Sequence, residues 1–142
     1  MKRVLRLSFA LLFVAIVGVI IKLTIPLSFK EVPIRAEALK HVDQLQLTKP
    51  IGPDEVALAY HFFGTDYQSQ KYPDWIEVSS TRVDGGTVRV TIYDPRCQDD
   101  STHRSMDRYF MQKDQGGLWK PIKADFSHTG RGKFGWTTEP TN

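Results

Sequence analysis

The chain has 142 residues, a formal net charge of +3 and a single cysteine, Cys97. That length suits one domain and is short for two, and a lone thiol excludes both an intramolecular disulfide and a zinc site of several cysteines. Residues 1–35 hold six basic side chains against one acidic, a net +5, which leaves −2 for residues 36–142. The folding part thus lacks net basic character, and no nucleic-acid partner is expected for it.

Leu7 to Ile21 is uncharged, diluted only by Ser8 and Gly18. These 15 residues give about 22 Å of helix against a hydrocarbon core of about 30 Å. Extending past Lys22 to Leu27 brings the length to about 31 Å, with Lys22 snorkelling near one end. A cleaved signal peptide has the same basic start and apolar middle. The stretch that follows, KLTIPLSFKEV, has no Ala or Gly, and the first Ala-x-Ala is Ala36-Glu37-Ala38. The preferred reading is an uncleaved anchor. Lys2, Arg3 and Arg6 place residues 1–6 in the cytoplasm, 7–27 across the membrane and the rest outside. The expected location is the cell inner or plasma membrane, and the expected partners are the membrane and proteins of the envelope.

Residues 28–52 read as a membrane-proximal stalk. Pro33 opens a helix in which Ile34, Leu39, Val42 and Leu45 recur at roughly helical spacing, and Pro50-Ile51-Gly52-Pro53 ends it. The outer domain is then 53–142. Pro53 with Asp54-Glu55 suits a helix start and Gly64 its end, with Val56, Tyr60 and Phe63 on one face. Two β-rich runs, WIEVSSTRV and GTVRVTIY, flank Asp84-Gly85, a hairpin signal expected to place positive φ at that dipeptide. Val88, Val90 and Ile92 alternate with polar neighbours. HRSMDRYFMQK reads as a third strand and DQGG as a turn. LWKPIKADF reads as a fourth strand, with Leu118, Ile122, Ala124 and Phe126 inward and Pro121 marking an edge or a bulge. The sum is α+β: about four antiparallel strands with one or two helices on one face, a cystatin-like roll being the nearest common shape.

No catalytic set stands out. Asp99, Asp100 and His103 form the densest polar cluster, readable as an oxygen-and-nitrogen metal site or as a loop of Asx turns, the latter preferred. No phosphate loop, dinucleotide fingerprint or G-x-S-x-G occurs, and no cofactor is expected. Gly130-Arg131-Gly132 is either a tight turn or an anion nest to which Arg131 adds charge. Arg131 can also tie the tail to the sheet through Asp125, Asp99 or Asp100. The candidate binding residues are therefore Asp99, Asp100, His103 and Arg131.

The order Asp99-Asp100-Ser101, Arg108-Tyr109, Trp119, Gly130-Arg131-Gly132, Trp136 and Thr138-Glu139-Pro140 resembles a group of small exported or membrane-anchored bacterial proteins of unknown function. Two cysteines of that pattern would fall near Ser127 and Thr141 and are absent here. If they are paired in such proteins, their joint loss is the expected outcome outside the cell. The resemblance implies an extracytoplasmic domain and transfers no activity. Two functions follow as expectations. The first is a non-catalytic interaction or assembly domain. The second is a small-ligand binder or enzyme on the concave face of the sheet.

Overall fold

The computed structural model describes residues 12–21, 26, 28–66, 72–96, 102–130 and 135–138, apart from the side chain of His103. Residues 12–21 are helical and exposed, and are referred to as α1. Among the described residues no helix is long and apolar enough to cross a membrane, and the remainder of the expected 7–27 span lies mostly outside them.

The domain is α+β. Strand β1 (Lys30–Val32) precedes helices α2 (Ala36–Thr48) and α3 (Pro53–His61). Strands β2 (Glu77–Arg82), β3 (Val88–Asp94), β4 (Thr102–Lys113) and β5 (Trp119–Gly130) follow. The order across the sheet is β1-β5-β4-β3-β2, and every neighbouring pair is antiparallel. The expected four-strand meander is present, with β1 added to the outer edge of β5.

The region read as a stalk is part of this domain. Ala38 and Val42 of α2 are fully buried with Val56, Ala57 and Tyr60 of α3, against Val90, Ile92, Tyr109, Met111 and Ala124 of the sheet. The periodicity that suggested a free-standing helix is the buried face of a core helix. Gln46 fastens α2 to the start of β5: its Nε2 donates to the Trp119 carbonyl at 2.9 Å, and the Trp119 N–H donates to its Oε1 at 2.8 Å. Lys120 adds ion pairs to Asp43 of α2 at 3.3 Å and to Asp114 of the β4–β5 turn at 3.0 Å.

Helix α3 begins at Pro53, with Asp54 and Glu55 in its first turn facing the positive end of the helix. Its C-terminal carbonyls are capped from outside by Arg35, the residue that opens α2. The Arg35 guanidinium donates to the carbonyls of Tyr60 at 2.7 Å, His61 at 3.3 Å and Phe63 at 3.4 Å. The Arg35 backbone N–H donates to the Tyr60 hydroxyl at 2.6 Å. A cation at the negative end of a helix is the favourable placement.

The β2–β3 hairpin forms where expected, one residue later in phase. The Thr87 N–H donates to the Asp84 carbonyl, and the residues between them, Gly85 and Gly86, have φ of 49° and 83°. Asp84 is the residue before the bend, and the positive-φ pair is Gly85-Gly86, as a hairpin with right-handed strand twist requires. No atom lies within 4 Å of a Cβ built on either glycine, so substitution there costs backbone strain alone. Gly85→Val is expected to lower stability by about 1–2 kcal/mol and Gly85→Asn by much less, because Asn tolerates left-handed backbone. Urea unfolding of the two variants checks this; equal midpoints would remove the strain argument.

Strand β5 is longer than expected, and its inward face differs. Met111 pairs with Pro121 while Phe110 pairs with Lys123, so Ile122 is an extra residue in a bulge. Pro121 is buried and Ile122 is 54% exposed, correcting the inward placement of Ile122. Ala124, beyond the bulge, returns to the core.

The candidate site, a pocket between α3 and the sheet

Residues directly opposite each other in a sheet share a face. The pairings Asp94↔Ser105, Ile92↔Asp107, Val90↔Tyr109 and Val88↔Met111 put Asp107 and Tyr109 on the helix-covered side with the core. Helix α3 ends over these two residues. A pocket of about 270 Å³ opens there, lined by Arg35, Tyr60, His61, Asp107 and Tyr109 with an apolar wall that includes Val32 and Ala124.

Nδ1 of His61 lies 2.9 Å from the Tyr109 hydroxyl. The Tyr60 and Tyr109 rings meet edge to face with centroids 5.5 Å apart. Burial, aided by the charge of Arg35, lowers the His61 pKa to about 4, so the imidazole is neutral at pH 7. Burial also raises the Tyr109 phenol, with the Asp107 charge adding to it. The Asp107 carboxyl is pushed up to about 7, chiefly by burial. A hydrogen bond with Ser105 opposes the shift, and the charges of Asp94 and Asp125 reinforce it. A carboxyl that titrates near neutrality inside a pocket is the kind of group found at binding and catalytic sites.

These two shifts act oppositely on stability. The raised Asp107 means that the folded state holds its proton more tightly than the unfolded chain. Its contribution is present at low pH and is lost as pH rises from about 4 through about 7. The depressed His61 contributes stability above the ordinary 6.5 that is lost as pH falls toward about 4. Asp107→Asn isolates the first. The variant is expected to raise the urea midpoint relative to the parent at pH 8 and to leave it nearly unchanged at pH 4. An equal difference at both pH values would contradict a raised Asp107.

A second, larger depression of about 500 Å³ lies at the hairpin end of the sheet. Its rim includes Arg82, Gly85, Gly86 and Lys113, all exposed, with Lys113 Nζ 5.3 Å from the Trp119 ring centre. It lies beside a turn and lacks the buried carboxyl, phenol and imidazole that converge in the α3 pocket.

The residues singled out in the sequence do not build the pocket. Asp99, Asp100 and Arg131 lie outside the described residues, as does Cys97. His103 falls in β4 at a register irregularity between Thr102 and Arg104, and its side chain is outside the description. Asp125, one of the three carboxylates considered for Arg131, gives both oxygens to Arg108 at 2.6 and 2.8 Å. The tail is held beside β5 by a two-way backbone bridge between His128 and Thr137. Trp136 is buried 6.1 Å from the Tyr93 ring, with the Arg104 guanidinium 5.3 Å from its own ring centre. Among the described residues no cluster of three or more His, Cys, Asp or Glu could hold a metal ion.

Comparisons of the chain with family models, with curated proteins and with solved structures return no match.

Proposed function

We propose that this chain is a membrane-anchored bacterial protein with a single N-terminal span, whose α+β domain, read as a cystatin-like roll, lies outside the cytoplasm. The domain serves as a non-catalytic interaction or assembly module with partners in the envelope. The observation that carries the anchor is α1. All ten of its described residues are exposed, and Leu12, Phe13, Val14, Ile16, Val17, Val19, Ile20 and Ile21 stand among the exposed large apolar side chains. A helix that is apolar all round is at home in lipid or in a core, and no residue of α1 belongs to the core cluster of the domain. The basic residues ahead of it favour a cytoplasmic N-terminus.

Protease added to intact spheroplasts is expected to digest the C-terminal domain and to spare it in whole cells. Removal of residues 1–27 is expected to release the chain from the membrane fraction. A C-terminus that stays protected in spheroplasts, or a mature N-terminus beyond about residue 27, would refute the anchored topology. Envelope proteins that co-purify with the full-length chain from its own membrane are the test of the assembly role.

One observation favours the second reading, a small-ligand binder. Asp107, Tyr109 and His61 converge on a pocket, as binding groups do, and a purely packed interaction module would have no use for them.

A further inference from the structure

We infer that the pocket between α3 and β4 takes a small organic cation, an amine-bearing molecule whose ammonium pairs with the Asp107 carboxylate while the Tyr60 and Tyr109 rings form its walls. This inference rests on the ligand-binding reading of the pocket. The volume of about 270 Å³ lies just under the range of drug-sized sites, so the ligand is a small one.

The charges around Asp107 select the class. Among the described residues none of the ion pairs includes Asp107. The groups that act on it from the sheet are Ser105 on its own strand and the carboxylates of Asp94 on β3 and Asp125 on β5. Tyr109 follows it on β4, and Tyr60 and His61 face it from α3. The imidazole is neutral and is engaged with the Tyr109 hydroxyl. Arg35 is the one cation in the lining among the described residues; its guanidinium donates to three carbonyls at the end of α3 and lies 5.2 Å from the Tyr60 ring centre. The carboxylate therefore has no countercharge paired with it among the described residues. An entering ammonium supplies that countercharge and is favoured by aromatic walls. An anion would meet the Asp107 carboxylate in the lining, with Asp94 and Asp125 acting on that carboxyl from outside the pocket.

The proton on Asp107 provides the signature. An ammonium binds the ionised carboxyl, so binding releases that proton and tightens as pH rises through about 7. A neutral hydrogen-bond acceptor would use the protonated carboxyl and weaken over the same range.

The test titrates the full-length chain, in mild detergent, with cyclohexylamine and its shape-matched cyclohexanol and cyclohexanecarboxylate, followed by calorimetry or chemical-shift changes. Cyclohexylamine is expected to bind alone of the three, and about tenfold more weakly at pH 6 than at pH 8. Asp107→Asn is expected to weaken it by about tenfold or more, while Asp107→Glu and the exposed Glu77→Gln retain it. Thermal melting of each variant separates lost binding from lost folding, and the pH profile of the unaltered chain stands even where a variant unfolds. Preferential binding of the alcohol or the carboxylate would overturn the amine assignment and leave the pocket as a ligand site. No binding of any of the three at about 10 mM would overturn both.

Discussion

Arg108→Met is expected to destabilise the domain by about 3 kcal/mol, the low end of what removal of one partner from a buried ion pair costs. Arg108 and Asp125 sit directly opposite each other on β4 and β5, on the face away from the helices. Nε and Nη2 of Arg108 donate to the two carboxylate oxygens at 2.6 and 2.8 Å. Asp125 is 5% exposed, so the substitution leaves its charge stranded. The Arg108 side chain keeps some access to solvent, which screens the pair and sets the estimate low. The Phe29 ring centre lies 3.3 Å from the guanidinium and covers part of it from the N-terminal side. Arg108→Met combined with Asp125→Leu is expected to recover most of the loss, since two apolar groups of similar size leave no stranded charge. Urea unfolding of the single and double variants completes the cycle. A single-variant loss of under about 1 kcal/mol would class the pair as an ordinary surface bridge.

Val42→Asp is expected to unfold the domain outright. Val42 is 0% exposed on α2, packed between α3 and the sheet, and a carboxylate there has no partner among the core side chains. Burying an unpaired charge exceeds the roughly 4–5 kcal/mol that marks an exceptional substitution and is comparable to the whole stability of a domain this size. Leu47→Asp, five residues along the same helix at a side chain that is 76% exposed, is expected to change stability by about 0.5 kcal/mol or less. Circular dichroism of the two variants separates a core helix from a stalk: a stalk helix would make them equally silent. Loss of folded signal in Val42→Asp alone supports membership of α2 in the core.

The contrast between those two positions marks how far the sequence could be read. The spacing of Val42 and its neighbours was visible, but periodicity does not say which surface the apolar face meets. Local chemistry carried the meander: alternation at Val88, Val90 and Ile92, the glycines after Asp84, and Pro53 followed by acids. Strand β1 was invisible because Lys30-Glu31-Val32 has no pattern of its own and is a strand only because β5 offers an open edge. The polar end of β5, Ser127-His128-Thr129, is likewise a strand through its pairing with β4. Ile122 was misplaced because a bulge reverses the parity that an alternating pattern assumes.

The pocket was hidden for a further reason. Arg35, His61 and Tyr109 are 26 and 48 residues apart in turn and meet only through the packing of α3 on the sheet. One signal was present. Asp107 and Tyr109 occupy alternate positions with Met111 on a strand, and a carboxyl on the apolar side of such a run is a buried polar group in need of a reason.

Strand β1 also governs how the domain answers a mechanical load. It is held by three residue pairs, Lys30↔Phe126, Glu31↔Asp125 and Val32↔Ala124, while the next firm attachment along the chain is Arg35, tied to the end of α3. A pull on the chain ahead of Phe29 meets the Phe29–Arg108 contact and then β1 before it reaches Arg35. Peeling β1 pays out residues 30–34, about 17 Å of extended chain, before any force reaches the helices. The remaining four strands stay paired, and the edge of β5 is free to take the strand back when the tension falls.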